Sequence, residues 1–327
     1  WRATLYLGLA SMVLLAALLM IGTQAGFTFS GLKDFMAGGR ELAHAELIGA
    51  LLIAGFGTLI SLFPFHSWAA PAYASAPAPV AMMHAGVLKK FGLYGLFMFQ
   101  PLMETGFLPW TNILLVLLVC NVIWVGYVTV NQKRLDLLLG NSSVMHMGYI
   151  FLAFAALVAS GSAEANPWAL KGAALLMLAH GLTIALLFLL CGQIEKQTGT
   201  LEINSLGGLS TRLPRMAFVF GLAGMASIGL PGLANFPGEF MVFFSGFAGF
   251  TNGFGPVQIA TILCLWGLVI GAVYMLRAYR NIFQGDLSKA AAYATELLPS
   301  ERAANYFLTI TLAVFGFFPT LVLQFFS

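Results

Sequence analysis

Residues 64–95 read Pro64-Phe-His66-Ser-Trp68-Ala-Ala-Pro-Ala-Tyr-Ala-Ser-Ala-Pro77-Ala-Pro79-Val-Ala-Met-Met-His84-Ala-Gly-Val-Leu-Lys89-Lys90-Phe-Gly-Leu-Tyr-Gly95. This stretch places prolines, histidines and two lysines inside a chain that is otherwise strongly apolar. Proline removes a backbone hydrogen-bond donor, and a charged side chain in lipid is costly. Both features are tolerated in a membrane only where protein or water surrounds them. The stretch therefore predicts a helix bundle that shelters it.

The composition indicates a membrane protein. Of the 327 residues, 60% are hydrophobic and 8% are charged, and the mean hydropathy is +0.90. Soluble domains carry about 25% charged residues, so the chain is predicted to cross a membrane several times. Cys120, Cys191 and Cys264 lie far apart in apolar runs, which favours buried thiols over a metal site.

The first residues differ from a normal N-terminus. The chain begins at Trp1 rather than at a methionine, and residues 3–24 form one apolar stretch. That stretch is too long for the core of a signal peptide. We therefore expect the sequence to be truncated at its N-terminus, with earlier helices missing.

Nine segments have the length and hydropathy of membrane crossings. They are residues 3–27, 45–66, 77–100, 109–130, 139–160, 167–192, 214–250, 256–280 and 303–326. The predicted fold class is an all-α polytopic membrane protein with two discontinuous helices. The crossing 45–66 ends at Pro64, and the crossing 214–250 is interrupted by Gly229-Leu-Pro-Gly-Leu-Ala-Asn-Phe-Pro-Gly238. Proline and glycine break helices, so we expect both breaks to lie inside the bundle.

The two breaks stand at comparable places in the chain. This arrangement is typical of inverted repeats with a working site near the membrane midplane. We predict that residues 1–100 are the last three crossings of a first repeat and that residues 101–285 form a second five-helix repeat. Residues 286–327 then supply a C-terminal loop and a final transmembrane helix.

The basic residues predict the orientation. If each segment crosses once, one side of the membrane receives Arg2, Lys133, Arg134, Lys196, Arg212, Arg215, Arg277, Arg280, Lys289 and Arg302, and the other receives Lys33, Arg40 and Lys171. Lysine and arginine collect on the cytoplasmic side of a membrane protein. The first side is therefore predicted to be cytoplasmic.

Two adjacent lysines are candidates for chemistry. Lys89 and Lys90 lie near the middle of their predicted crossing, and an ionisable residue there is a functional candidate by default. Adjacent helix positions point about 100° apart. We therefore expect one lysine to face the polar interior, where it could gain and lose a proton as a neighbouring charge moves, and the other to reach an interface.

Five further ionisable residues are candidates on the same grounds. Glu239 follows the second break and is either a charge stabilised at a helix N-terminus or a proton carrier. His180 lies in mid-crossing and suits a proton relay, with a hydrogen-bonded packing role as the alternative. For His146, a proton-relay role and a structural role are equally favoured. His66 and His84 flank the first break, where a structural role is favoured for both.

The chain contains a series of different short motifs. They are Pro64-Phe-His66-Ser-Trp68, Ala76-Pro-Ala-Pro79, Gly86-Val-Leu-Lys-Lys90-Phe-Gly-Leu-Tyr-Gly95, Ser143-Val-Met-His146-Met-Gly148-Tyr149, Ala179-His180-Gly-Leu, Leu190-Cys-Gly-Gln193, Gly229-Leu-Pro-Gly232 and Asn235-Phe-Pro-Gly238-Glu239-Phe240. Together they resemble the antiporter-like subunits of respiratory complex I, and most of all the ND4-like subunit M of NADH:quinone oxidoreductase. The resemblance covers essentially the whole chain and implies an antiporter-like inverted-repeat helix bundle.

The resemblance also implies roles for single residues. Members of the family are proton channels without redox centres, and their polar axis matches Lys90, His180 and Glu239 of this sequence. His146, His84 and Lys89 are secondary candidates. A family lysine is replaced here by Leu59, and Trp68-Ala-Ala-Pro71 stands where the family usually has Trp-Leu-Pro-Asp. The first half-channel is therefore expected to be either rewired or silent.

These inferences converge on one predicted function. The chain is predicted to be a proton-translocating membrane subunit of a complex I-type enzyme in a bacterial inner membrane. It is expected to hold no cofactor or metal, with NADH, FMN, iron–sulfur clusters and quinone in partner subunits. Neighbouring antiporter-like subunits and the bilayer are the expected partners, and nucleic acid is not. The alternatives are a subunit of a cation/proton antiporter complex or membrane-bound hydrogenase, and a pump-inactive structural spacer.

Overall fold

The computed structural model describes residues 1–248 and 253–326, and its regular structure is helical. The α-helices are α1 (Arg2–Ala25), α2 (Phe29–Ala37), α3 (Ala45–Ile60), α4 (Ala69–Ser75), α5 (Ala78–Met83), α6 (Lys90–Met98), α7 (Thr111–Val130), α8 (Leu135–Ser160), α9 (Pro167–Thr198), α10 (Pro214–Ile228), α11 (Asn235–Ser245), α12 (Pro256–Phe283), α13 (Pro299–Phe317) and α14 (Thr320–Leu323). A π-helical turn, His84–Leu88, joins α5 to α6. The described residues contain no β-strand, which confirms the all-α prediction.

Five helical segments of the described chain are long and apolar enough to cross a membrane. They are Arg2–Ala25, Gln100–Val130, Leu135–Ser160, Pro167–Thr198 and Pro256–Phe283. Two shorter apolar helices, Ala45–Ile60 and Pro214–Ile228, end near the two predicted breaks. The count of nine crossings stays a prediction. Residues 249 and 250, which end the predicted seventh crossing, lie outside the described residues, as does residue 327.

Helix α8 lies at the centre of the bundle. It packs against α4, α7, α9, α11 and α12, and nearly all of its residues are buried. Two glycines allow its neighbours to approach closely. A Cβ on Gly140 would lie 2.8 Å from the Cα of Ala70, and a Cβ on Gly148 would lie 2.6 Å from the side chain of Val122. Polar residues carried by α8 are therefore surrounded by protein.

The first break begins at Ser61, directly after α3 and before the predicted end at Pro64. Ser61 adopts a left-handed conformation with φ 70°. Asn121 on α7 bonds the backbone of this turn, because its Oδ1 accepts the N–H of Phe63 at 2.5 Å. Its Nδ2 donates to the carbonyl oxygens of Ser61 and Val144, both at 3.1 Å. Asn121 thus satisfies two backbone groups of the turn, which a break away from water requires.

The second break separates α10 from α11. Helix α10 ends at Ile228, and α11 begins at Asn235. Gly229 and Gly232 between them have φ values of +77° and +90°, which glycine adopts without the strain that a side chain would add. Helix α11 packs against α8 and α9, so the break faces the centre of the bundle. Whether α10 and α11 form one interrupted crossing stays a prediction.

Loops that carry basic residues meet at one end of the bundle, which we call the basic end. The carbonyl oxygen of Lys133 accepts the N–H of Ile203 at 2.8 Å, and Arg277 donates to the carbonyl oxygen of Gln132 at 2.9 Å. At the same end, Lys196 on α9 pairs with Glu301 on α13 at 2.6 Å, and this hydrogen bond lowers the pKa of the Glu301 carboxyl. That this end faces the cytoplasm stays a prediction.

Replacing Asn121 by alanine is expected to lower the melting temperature of the purified protein. The change leaves the Phe63 N–H and the Ser61 carbonyl without their partner, and each such buried group costs about 1–3 kcal/mol. Asn131→Ala is the matched control, because Asn131 is exposed and donates to the Tyr127 carbonyl of its own helix. Thermal unfolding in detergent compares the two variants. Equal melting temperatures would contradict the role given to Asn121.

Candidate functional site

Both lysines of the first motif are buried. Lys89 has no exposed surface and Lys90 is only 8% exposed, whereas the neighbouring Leu88 and Phe91 are exposed on the outside of the bundle. The expectation that one lysine reaches an interface was therefore wrong. The π turn before Lys89 adds a residue to the helical turn and changes the facing of the helix after it. As a result, both lysine side chains are buried inside the bundle, at neighbouring positions on the inward face of this helix.

The π turn also supplies a partner for Lys90. The Nζ of Lys90 donates to the carbonyl oxygen of Ala85, which lies within the turn. The turn crosses α9 at very close range, since a Cβ on Gly181 would lie 2.6 Å from the carbonyl oxygen of Gly86. Gly181 directly follows His180, so this crossing brings His180 towards Lys90. Lys90 lies within electrostatic range of His180.

His180 and His146 form a stacked pair between α9 and α8. Their ring centroids are 5.3 Å apart and their planes differ by 19°. Both side chains are buried. The Nε2 of His180 lies 3.1 Å from the hydroxyl oxygen of Ser143. The structure therefore brings together two histidines that lie 34 positions apart in the chain.

His146 has a hydrogen-bond partner at each ring nitrogen. Its Nδ1 lies 2.8 Å from the carbonyl oxygen of Ser142, and its Nε2 lies 2.9 Å from the carbonyl oxygen of Ser227. Carbonyl oxygens only accept hydrogen bonds, so a ring with a proton on both nitrogens satisfies both contacts and a neutral ring satisfies one. Ser227 is the second-last residue of α10, where helix carbonyls lack a partner in their own helix. His146 thus contacts the second break directly.

Glu239 lies on α11, opposite the end of α10. The side chain is 3% exposed, and its Oε1 has no hydrogen-bond partner among the described residues. Its carboxylate occupies the space beside Gly229, since a Cβ on Gly229 would lie 1.9 Å from Oε2. On the same helix, Asn235 accepts a hydrogen bond from Thr183 of α9 at 3.0 Å. The break thus holds a carboxyl group in contact with protein, and no ion pair to it is found within the described residues.

We call Lys90, His180, His146 and Glu239 the buried row. Two tyrosines extend it, and neither was predicted from the sequence. The hydroxyl of Tyr274 on α12 lies 2.7 Å from that of Ser142 on α8. Tyr149 is fully buried, its ring packs edge-on to His146 at 5.6 Å, and it lies within electrostatic range of Glu239. The spacing of Ser142, His146 and Tyr149 along α8 is typical of one helix face and could have indicated both Ser142 and Tyr149. Tyr274 stands alone in an apolar helix and gave no such signal.

The remaining predicted residues lie apart from this row. His84 packs against Trp68 and Tyr73 at ring distances of 5.5 Å, on the side of Lys89 rather than that of His180. His66 stacks on Phe63 at 5.3 Å. Leu59, where the resemblance implies a lysine, is a partly buried residue of α3. Cys191 and Cys264 are buried as predicted, whereas Cys120 is partly exposed.

The buried row is made mainly of titratable side chains. Within residues 1–248 and 253–326, no group of three His, Cys, Asp or Glu side chains is placed to hold a metal ion. The titratable groups of the row come from five helices: Lys90 from α6, His146 and Tyr149 from α8, His180 from α9, Glu239 from α11 and Tyr274 from α12. These side chains share the ability to hold or pass a proton.

Comparison with known proteins gives the family. A sequence model described as "NADH:quinone oxidoreductase/Mrp antiporter, TM" matches residues 1–263. The chain belongs to this family. It is 34% identical to NAD(P)H-quinone oxidoreductase chain 4 of Synechococcus elongatus, over 98% of this chain and 59% of the relative. The predicted resemblance to ND4-like, antiporter-like subunits of complex I is confirmed, and the chain is a multi-pass membrane protein.

Solved structures share the fold. Respiratory complex I from Thermus thermophilus contains a chain that matches with a TM-score of 0.87 and 25% identity, over 99% of this chain and 66% of that chain. The Mrp complex from Dietzia contains one that matches with a TM-score of 0.83 and 18% identity, over 99% and 65%. The sequence spans about three-fifths of the length of its chain 4 relatives, 59% of one and 60% of another.

Substituting Gly229 by alanine is expected to destabilise the protein more than the same change at Gly199. Both glycines have a left-handed φ, of +77° and +71°, so both variants carry the backbone strain. Only the Cβ at position 229 meets another group, the carboxylate of Glu239, because nothing lies within 4 Å of a Cβ at position 199. Melting temperatures in detergent measure the difference.

A double variant isolates the collision with the carboxylate. Adding Glu239→Ala to Gly229→Ala removes the group that the new methyl would meet. The double variant is expected to recover part of the stability that Gly229→Ala loses relative to Gly199→Ala. A double variant that is no more stable than Gly229→Ala would contradict the contact.

Proposed function

We propose that this chain is a proton-translocating, non-redox membrane subunit of a complex I-type NADH:quinone oxidoreductase. One observation carries the proposal. Lys90 and Glu239 are both buried in a membrane protein without an ion-pair partner among the described residues. Of the two stacked histidines, His180 lies within electrostatic range of Lys90, and His146 contacts the end of α10 that Glu239 also approaches. Unpaired buried charges are costly and mark ion or proton pathways in membranes. The arrangement fits stepwise movement of a proton better than a packing role.

Each residue of the row receives a role from its contacts. Lys90 holds a proton against the carbonyl oxygen of Ala85 and exchanges it with His180. His180 and His146 are relay groups, because each ring can accept a proton on one nitrogen and release one from the other. Glu239 is the terminal carboxyl group beside the second break. Ser143 and Tyr149 are positioning residues, since they contact the relay groups and do not themselves change charge.

Coupling to the redox reaction follows from charge. A proton that moves onto one group of the row disfavours a second positive charge on its neighbours. Charge displaced by quinone reduction in a partner subunit therefore shifts protons along Glu239, His180 and Lys90. Exchange with water at the two ends of the row completes translocation across the membrane. The chain's own groups supply only proton transfer, and no electron passes through them.

The names of the relatives support the assembly that we propose. NAD(P)H-quinone oxidoreductase chain 4 and the Thermus complex I match over nearly all of this chain. We assign NADH, FMN, iron–sulfur clusters and quinone to partner subunits, and neighbouring antiporter-like subunits to the lateral contacts. A bacterial inner membrane is the proposed location, with the basic end in the cytoplasm.

A second function has support of its own. The family includes Mrp antiporters, and the fold also matches the Mrp complex and an archaeal membrane-bound sulfane sulfur reductase, the latter with a TM-score of 0.78 and 21% identity. A cation/proton antiporter complex or a membrane-bound hydrogenase would use the same row. The proteins that co-purify with the chain decide between them: quinone-reducing and flavin-containing subunits favour complex I.

Neutralising Lys90 is expected to abolish most proton pumping while leaving the complex assembled. Lys90→Ala removes the amine that faces His180, and Glu239→Gln keeps the shape of the side chain but cannot release a proton. Each change is expected to lower pumping by about a hundredfold, the contribution of a positioned proton-transfer group. The measurement is acidification of proteoliposomes that contain the assembled complex, normalised to quinone reduction.

The control for charge loss is Lys171→Gln near the outer end of α9. Lys171 lies outside the buried row and is partly exposed. We expect this variant to pump at the wild-type rate. Wild-type pumping by Lys90→Ala and Glu239→Gln would overturn the proposed function and favour the pump-inactive spacer that Leu59 suggests.

A further inference from the structure

A second polar cluster lies on the other side of the lysine pair. Its members are buried or half-buried side chains whose polar atoms have no hydrogen-bond partner among the described residues: the Nζ of Lys89, the hydroxyl of Tyr73, the Nδ1 of His84 and the Nδ1 of His66. The proton-transfer row described above uses none of them. We call these four residues the Lys89 cluster.

The Lys89 cluster is a connected group. The Nζ of Lys89 lies 5.8 Å from the ring centroid of Tyr73, and the rings of Tyr73 and His84 are 5.5 Å apart. Lys89 lies within electrostatic range of both His84 and His66. Trp68 packs against the cluster, and its ring lies 5.5 Å from that of His84. The indole N–H of Trp68 donates to the carbonyl oxygen of Thr58. The four polar groups therefore share one environment.

The cluster extends from the basic end towards the membrane interior. Its outer part lies near the start of α8, which follows Lys133 at the basic end, because a Cβ on Gly140 of α8 would lie 2.8 Å from the Cα of Ala70, four residues after His66. His66 follows the first break and is half-exposed, and the adjacent Ser67 donates to Tyr6 at 3.1 Å, in the first turns of α1. His84 is also half-exposed, at the start of the π turn. Lys89 at the inner end is fully buried. Titratable groups thus run from the surface of the basic end to the amine of Lys89.

The two lysines have different surroundings although they are adjacent. The amine of Lys90 is bonded to the Ala85 carbonyl and lies within electrostatic range of His180. The amine of Lys89 has no such acceptor among the described residues, and a tyrosine ring near the distance limit of a cation–π contact is a weak substitute. A lysine that only stabilised the fold would need its charge satisfied, because an unpaired buried charge is costly. The missing acceptor therefore argues against a purely structural role for Lys89.

We propose that Lys89 is the proton-loading residue of this half of the protein. It accepts a proton that arrives from the basic end past His66 and His84, and it passes that proton to Lys90. In the transfer, the Lys89 ammonium loses one proton, the neutral Lys90 amine gains it, and no other bond changes. Repulsion between adjacent ammonium groups disfavours charging both, so arrival of a proton at Lys89 requires Lys90 to release its own towards His180.

The proposal rests on the proposed function, and substitution by arginine tests it. Arginine keeps the positive charge but cannot be deprotonated in a protein. If Lys89 exchanges protons, Lys89→Arg and Lys89→Gln should both lower proteoliposome pumping by about tenfold or more. If only its charge matters, Lys89→Arg should pump at the wild-type rate, and that result would overturn the proposal. Lys171→Arg serves as the control for introducing the larger side chain.

His66 provides a second variant at a position where misfolding is less of a concern. His66 is half-exposed, and His66→Gln keeps a polar side chain without a group that titrates near neutral pH. We expect this variant to assemble normally and to pump at least about threefold more slowly, since proton transfer by a positioned histidine is lost. An unchanged rate would overturn the route past His66, whatever the Lys89 variants do.

The outcomes separate this proposal from the function on which it rests. Normal pumping by Lys90→Ala would overturn the proposed function itself. Loss of pumping in Lys90→Ala together with normal pumping in Lys89→Gln would overturn only the loading role of Lys89. Loss in Lys90→Ala, Lys89→Gln and Lys89→Arg, with normal pumping in both Lys171 controls, would support both. The amount of assembled complex is measured for every variant.

Discussion

The structure depends on how polar groups are satisfied where helices are interrupted. In the middle of a regular α-helix each carbonyl oxygen already accepts a backbone N–H, whereas the carbonyl oxygens at the end of a helix lack that partner. At three places where a helix is interrupted or ends, a backbone carbonyl oxygen accepts a hydrogen bond from a polar side chain. The π turn supplies the Ala85 oxygen to Lys90, and the end of α10 supplies the Ser227 oxygen to His146. The end of α3 supplies the Ser61 oxygen to Asn121.

This use of the breaks explains why α8 is the central element. It contributes His146, whose ring bridges its own helix to the end of α10, and Ser143, whose hydroxyl meets His180 on α9. Gly140 and Gly148 admit α4 and α7 at close range. The same helix thus fixes the position of both breaks relative to the relay groups. A shift of α8 would disturb the first break and the second together.

Helices end near both predicted interruptions, at Ile60 and Ile228, whereas the partners of the buried polar side chains were not predicted. Proline and glycine locate the interruptions at Pro64 and Gly229 because these residues act through local backbone geometry. The burial of both lysines could not be foreseen, since it depends on a π turn that has no clear local signal. Asn121 and Tyr274 were missed for a related reason. The partners of each are distant in sequence and come together only on folding.

The lysine pair is the least expected feature of the polar interior. Two adjacent ammonium groups in one apolar helix are costly if their only role is structural, because each must be desolvated and each repels the other. The cost falls if the two are charged in turn, and that requires different neighbours on the two sides. The structure has this asymmetry, with the Ala85 carbonyl and His180 next to Lys90 and with Tyr73 next to Lys89. Under the role proposed for Lys89, the first half-channel still has a second amine, although leucine replaces the family lysine at position 59. The replacement at position 59 then fits a rewired half-channel better than a silent one.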